Sequence, residues 1–228
     1  MVSPDVDGLA ALARGLAAEA DLAGVLSGVL KAALTHIEGA EYAGVTALSR
    51  REASTPAATD ELVLVIDNLQ YATGEGPCLS AAADHEAVVL VDDLTADARW
   101  PVFSDGAVSH GIRSMLSLHL YTACDTIGAL NVYARRPHAF TADSVDTGVL
   151  LAAHSAAAIV GATTTTNLRR ALDSRDVIGQ AKGILMERFK ITSADAFDML
   201  ITASQDFNRK LRDVAAELTD TGALIRDQ

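Results

Sequence analysis

Met115-Leu116-Ser117-Leu118-His119-Leu120-Tyr121 and, after a short polar break, Ile127-Gly128-Ala129-Leu130-Asn131-Val132-Tyr133 decide the class of the N-terminal part of the chain. In the first run Leu116, Leu118 and Leu120 alternate with Ser117 and His119, the period-two pattern of a strand whose two faces differ. The second run has the same strand character, and Arg135-Arg136-Pro137 ends it. Cys124-Asp125-Thr126 supplies the polar residues of a hairpin turn between them.

Upstream, Tyr42–Leu48, residues 62–66 and Val88–Val91 are short apolar runs bounded by polar or turn residues, and they read as further strands. Residues 5–37 place Leu9, Leu12, Leu16, Leu22, Val25, Leu26, Val29 and Leu30 near helical spacing. Downstream, Thr141-Ala142-Asp143 is positioned to cap a long helix over residues 144–170. Helix, antiparallel strands and closing helix make an α+β layer architecture. After Asp173 the chain reads as three short amphipathic helices, the second capped by Ser193 and the third by Asn208. Four β-branched residues at 163–166 weaken the long helix locally and mark the junction. The division expected is a helical segment at 1–19, a sheet domain at 20–161, a helical linker at 162–173 and an all-α bundle at 174–228.

The charge follows this division. The net charge of −12 falls entirely on the first 162 residues, with eight basic and twenty acidic side chains. Residues 163–228 hold ten of each and three of the four lysines, so the two parts suit different partners. No uninterrupted apolar run reaches the roughly 18–20 residues of a membrane span. Met1-Val2-Ser3-Pro4-Asp5 lacks a basic n-region, so a soluble cytoplasmic protein without a membrane partner is expected. The six histidines show no short ligand spacing, so no metal site is expected. Val88-Val89-Leu90-Val91-Asp92-Asp93 is similar to the strand and acidic pair of a phosphoacceptor receiver, but no lysine lies between Lys31 and Lys182 to serve that chemistry.

Gln70-Tyr71-Ala72-Thr73-Gly74-Glu75-Gly76-Pro77-Cys78-Leu79 is the sharpest local pattern of the first domain, with a glycine-rich turn feeding a helix that begins at proline. Cys78 and Cys124 are too few for a disulfide scaffold, and as nucleophiles they need a neighbouring base such as His85 or His119. In the C-terminal part, Lys182, Met186 and Lys190 form an i, i+4, i+8 stripe beside Gly183, away from the apolar face. Arg209, Lys210 and Arg212 are expected in the first turn of a helix, where the dipole favours acids, so a phosphate partner is the natural reason for them. Ser204, Gln205 and Asn208 beside them carry hydrogen-bonding groups suited to base edges.

These motifs carry family likenesses. Ile178-Gly179-Gln180-Ala181-Lys182-Gly183-Ile184-Leu185-Met186, Ala196-Phe197-Asp198-Met199-Leu200 and Ser204-Gln205-Asp206-Phe207-Asn208-Arg209-Lys210-Leu211-Arg212-Asp213-Val214-Ala215 resemble an ANTAR domain. The resemblance implies a three-helix module that binds paired hairpins in nascent leader RNA and prevents termination, commonly as a homodimer. Its RNA-binding candidates are Lys182, Gly183, Met186, Lys190, Ser204, Asn208, Arg209, Lys210 and Arg212.

Gly74–Leu79, Asp97-Ala98-Arg99-Trp100-Pro101, Gly111-Ile112-Arg113-Ser114-Met115-Leu116-Ser117 and Gly128-Ala129-Leu130-Asn131-Val132-Tyr133 resemble a GAF sensor domain. That resemblance implies a small-molecule pocket, with Gly74, Gly76, Cys78, Trp100, Arg113 and His119 as candidates, and names no cofactor. The Cys-His dipeptide of bilin-binding members and the Asn-Lys-x-Phe-Asp-Glu run of cyclic-nucleotide-binding members are both absent. Together the likenesses imply a regulator of transcription antitermination that is not an enzyme. Two readings compete with it. One is a signalling module whose basic C-terminal face docks a protein. The other is a GAF-type free-methionine-sulfoxide reductase using Cys78 or Cys124.

Overall fold

The computed structural model describes residues 21–48, 53–83, 86–122 and 126–223, together with residues 8, 13–16, 18 and 19. The expected N-terminal helical segment, the turn at Cys124 and His85 therefore lie largely or wholly outside the described residues. The chain forms two compact units, residues 1–163 and 164–228.

The first unit is built on five strands: β1 (Tyr42–Leu48), β2 (Ala53–Ala58), β3 (Val88–Val91), β4 (Ser114–Tyr121) and β5 (Thr126–Ala134). Their order is β2-β1-β5-β4-β3 and every pair is antiparallel. The β4–β5 register sets Leu116 opposite Val132 and Ser117 opposite Asn131, so the alternation read from the sequence sorts the side chains onto two faces. The leucine face packs against helix α1 (Leu22–His36) and the start of α5 (Ala142–Phe189), through Val25, Val29, Leu151 and Ile159 among others. The Ser117 face is covered by α2 (Glu61–Thr73), α3 (Pro77–Ala83) and α4 (Pro101–Ser109). Because helices cover both faces, β4 is buried from Ser114 to Leu120, polar residues included.

Residues 62–66 are not a strand. They open α2, where Asp60 caps the helix by accepting from the Leu62 amide at 2.8 Å. Five apolar residues in a row fit either element. The helical period shows only when Asp67 and Gln70 join Val63 and Ile66 on the buried face. The strand beside β1 is instead Ala53–Ala58, which the apolar pattern does not announce. It lies at the edge of the sheet, the position that tolerates Pro56.

Thr141 and Ser144 close the start of α5 reciprocally, the Ser144 amide donating to Thr141 Oγ1 at 3.3 Å and the Thr141 amide to Ser144 Oγ at 3.1 Å. The helix does not stop near Arg170 as expected, but runs unbroken for 48 residues to Phe189. Each β-branched residue at 163–166 costs only a few tenths of a kcal/mol, and no proline or turn follows them. Residues 147–168 carry no Asp, Glu, Lys or Arg, so α5 is long and apolar enough by length and composition to cross a membrane, although Thr, Ser, His and Asn interrupt its apolar residues. Within this fold its Leu151, Ala152, Ala156 and Ile159 belong to the sheet-side core.

The second unit packs the end of α5 with α6 (Ser193–Asp206) and α7 (Leu211–Thr221) around Ala181, Leu185, Ala196, Leu200, Val214 and Leu218. The cap of α6 is Thr192, not Ser193: Thr192 Oγ1 accepts from the Asp195 amide at 3.2 Å, and Asp195 Oδ2 accepts from the Thr192 amide at 3.1 Å. Asn208 does not cap α7 either. It takes φ 49° in the turn, and Lys210 occupies the cap position without a side-chain bond. Only Arg212 of the three cations therefore falls within the helix.

Candidate functional site

A continuous polar network lies between the sheet and α2. Asp67 Oδ2 accepts from Thr55 Oγ1 at 2.8 Å, and its Oδ1 accepts from Gln70 Nε2 at 3.2 Å and from the Tyr133 hydroxyl. The Tyr71 hydroxyl lies 2.8 Å from Thr55 Oγ1 and 3.0 Å from Thr46 Oγ1. Asn131 donates from Nδ2 to Thr46 Oγ1 at 3.0 Å and accepts from Ser117 Oγ at 2.8 Å. Gln70 Oε1 accepts from the Cys78 amide at 3.0 Å, which ties α3 to α2. Asp67, Gln70, Ser117, Asn131 and Thr46 are all buried, so each bond removes a desolvation cost of the order of 1–3 kcal/mol.

Burial dominates the titration of this cluster. It pushes the Asp67 carboxyl up to about 6 against the opposing hydrogen bonds from Tyr133, Thr55 and Gln70. Burial, and then the nearby Asp67 charge, lift Tyr71 to about 12 and hold Tyr133 well above its ordinary value. The Cys78 thiol, bonded by Thr46 and Asn131, is pushed up to about 11, again mainly by burial. This is the opposite of an activated thiolate.

The second cluster belongs to the other unit. Lys182 Nζ stands 5.5 Å from the centre of the Phe197 ring. Phe197 and Ser204 are two turns apart on the same face of α6. Ser204 Oγ donates to the Arg209 carbonyl at 2.6 Å, and the Arg209 amide donates to the Ser204 carbonyl at 3.0 Å, which sets the turn into α7. Lys210 and Arg212 project exposed from this turn, while Arg209 pairs with Glu217. Lys190 pairs with Glu187 at the end of α5. Met186 is 37% exposed, and Gly183 has open space where a side chain would stand. Of the acids of α6, Asp195 and Asp206 lie opposite Phe197 and Ser204, and Asp198 lies on the flank between.

The GAF domain family matches residues 19–160, more than half of the chain, and the ANTAR domain family matches residues 166–218. The chain belongs to the GAF family and carries an ANTAR domain behind the GAF domain. No curated protein matches the chain. Solved structures share the fold at low identity. The GAF domain of a phosphoenolpyruvate-protein phosphotransferase from Coxiella burnetii is 16% identical over 71% of this chain and 96% of its own, with TM-score 0.55. A domain of a putative two-component sensor histidine kinase protein from Sinorhizobium meliloti is 15% identical over 66% of this chain and 99% of its own, with TM-score 0.54. The bacteriophytochrome RpBphP3 of R. palustris is 13% identical over 87% of this chain and 46% of its own, with TM-score 0.61. GAF domains are sensor domains, and ANTAR domains are RNA-binding antitermination domains.

Of the GAF pocket candidates, the fold joins Gly76 and Cys78 to the network. A Cβ at Gly76 would meet Gln70 Oε1 at 2.4 Å. His119 lies on the same sheet face, its Nε2 3.2 Å from Thr126 Oγ1. Gly74 is the left-handed C-cap of α2 and exposed. Trp100 is buried away from the network, donating from Nε1 to Ser80 Oγ at 3.1 Å with Arg99 4.3 Å from its ring centre. Arg113 donates to Asp93 Oδ2 at 2.8 Å and holds that carboxyl well below the usual carboxylate range, apart from the network. Glu75, between the two glycines, accepts from the Val102 and Phe103 amides at 3.1 and 3.3 Å and so closes the start of α4, which Trp100 leaves uncapped.

Sequence reasoning missed Thr46, Thr55, Asp67, Gln70, Tyr71, Ser117, Asn131 and Tyr133 as members of the site. The one available signal was the polar pair Asp67 and Gln70 continuing an apolar helical face. Among the described residues no group of His, Cys, Asp and Glu is arranged to hold a metal ion.

Proposed function

We propose that this chain is a cytoplasmic, homodimeric regulator of transcription antitermination, whose ANTAR domain binds hairpins in nascent leader RNA under control of its GAF domain. The observation that carries the reading is the sorting of charge on α6. Lys182 stands over Phe197, Ser204 fixes the turn that carries Lys210, and Asp195 and Asp206 lie on the other face of the helix. Cations, an aromatic ring and hydrogen-bonding side chains suit phosphates and unstacked loop bases, the parts of RNA that proteins read. In this reading Lys182, Gly183, Met186, Lys190, Ser204, Asn208, Arg209, Lys210 and Arg212 are the residues that would contact RNA.

The GAF domain would contribute by binding a small molecule, or a partner, unequally in two conformations, since only a differential affinity moves an equilibrium. The test is binding of the full chain to a library of tandem RNA hairpins at fixed salt, beside the Lys182→Ala/Lys210→Ala variant. Loop-selective binding that the variant loses supports the reading. Binding with no preference among loops points to a face for an acidic protein instead.

A further inference from the structure

The ANTAR unit carries a second surface, lined by none of the residues assigned above to RNA. The end of α5, α6 and Ala223 beyond α7 line a groove of about 710 Å³. Phe189, Met199 and Phe207 line it, and Asp195, Asp198 and Asp206 are set against the single cation Arg188. An apolar floor with an acidic rim suits a helix that offers two apolar anchors flanked by cations.

The same unit presents such a helix. Leu168 and Leu172, four residues apart on α5, are 61% and 62% exposed. Arg175 lies on the same face and Arg169 flanks it, both exposed. The segment cannot reach its own groove, because Leu172 and Leu185 are fixed on one unbroken helix, about 20 Å apart along the axis.

We infer that the groove receives residues 168–175 of a second copy of this chain, with Leu168 and Leu172 on Phe189, Met199 and Phe207, and Arg169 and Arg175 against the partner's acidic rim. When each of two copies receives the other's segment, the two contacts are related by a two-fold axis and close a dimer. It occupies the acidic face of α6 and leaves Phe197, Ser204 and the turn at Lys210 open. The inference rests on the dimer reading for its copy number, and adds which surfaces meet.

The experiment is the dimer dissociation constant of the full chain by sedimentation equilibrium. It compares the parent with Asp198→Arg/Asp206→Arg, with Arg169→Glu/Arg175→Glu, and with the four changes combined. All four positions are exposed, and circular dichroism verifies that each variant is folded. Each double variant should weaken the dimer at least tenfold, and the combination should recover most of that loss. A parent that is monomeric throughout overturns both this inference and the dimer reading. A dimer that neither double variant weakens overturns the groove alone and leaves the dimer standing. Weakening without recovery in the combination also overturns it, since the charges would then not face one another.

Discussion

Tyr133 on β5 donates its hydroxyl proton to Asp67 Oδ1 on α2, joining two elements 66 residues apart inside the GAF domain. The bond places a carboxyl, buried among two tyrosines and a thiol, at the centre of the sheet's helix-covered face. The domain's stability is therefore tied to one proton.

The sign follows from the direction of the shift. Asp67 titrates at about 6 in the folded chain against an ordinary 3.8, so the folded state binds the proton more tightly. Its stabilising contribution is complete below the ordinary value and is lost as pH rises through about 6. About two pKa units correspond to roughly 3 kcal/mol. Asp67→Asn should remove this part of the pH dependence, seen as a flatter change of urea midpoint between pH 4 and pH 7 than in the parent. An identical slope in both proteins would sink the assignment.

Gly76 and Gly74 sit two residues apart with positive φ but in different surroundings. At Gly76 (φ 132°) a Cβ would collide with the Gln70 amide that receives the Cys78 N–H. At Gly74 (φ 68°) nothing lies within 4 Å. Gly76→Ala should cost about 1–3 kcal/mol, from backbone strain and the displaced bond. Gly74→Ala should cost only the left-handed backbone term of about 1 kcal/mol. Thermal unfolding of the two variants gives the comparison, and equal losses would contradict it.

Cys78 should behave as a protected thiol. With its pKa pushed up to about 11 and its side chain buried, alkylation by iodoacetamide at pH 8 should follow unfolding instead of thiolate chemistry. In a Cys124→Ser background, native protein should react at least a hundredfold more slowly than the same protein in urea. Fast labelling of the native protein would reopen the reductase reading.

The cations of the ANTAR domain should differ in their salt signatures. Lys210→Ala and Arg212→Ala should each lower the slope of log K against log salt by about 0.7–0.9, the value of one lost phosphate contact. Arg209 is held by Glu217, so Arg209→Ala should change the slope less. Hairpin titrations at three salt concentrations measure this, and equal slopes for all three variants would refute a phosphate role for Lys210 and Arg212.

Much of the fold was legible because its signals are periodic. The alternation in 115–121, the apolar runs of β1 and β3 and the spacing 178, 181, 184, 185 each report one element's own faces. The failures share one cause, in that the local pattern was compatible with two structures. Residues 62–66 suit a strand until Asp67 and Gln70 extend the helical face. Ala53–Ala58 has no apolar alternation and becomes a strand only because β1 offers it an edge. By residue type Ser193 is the better cap and Thr192 a good one, and the reciprocal bonds with Asp195 select Thr192.

The order of residues along the chain settled the α+β class, the change of charge between the two units and the GAF and ANTAR motifs, because these depend on composition and near-neighbour spacing. The membership of the polar network depended on folding. Thr46, Thr55, Asp67, Cys78, Ser117, Asn131 and Tyr133 come from β1, β2, α2, α3, β4 and β5, and strand register with helix packing brings them within hydrogen-bonding distance. Hydrogen bonds reach about 3 Å whatever the separation along the chain, so no spacing in one dimension could have announced them.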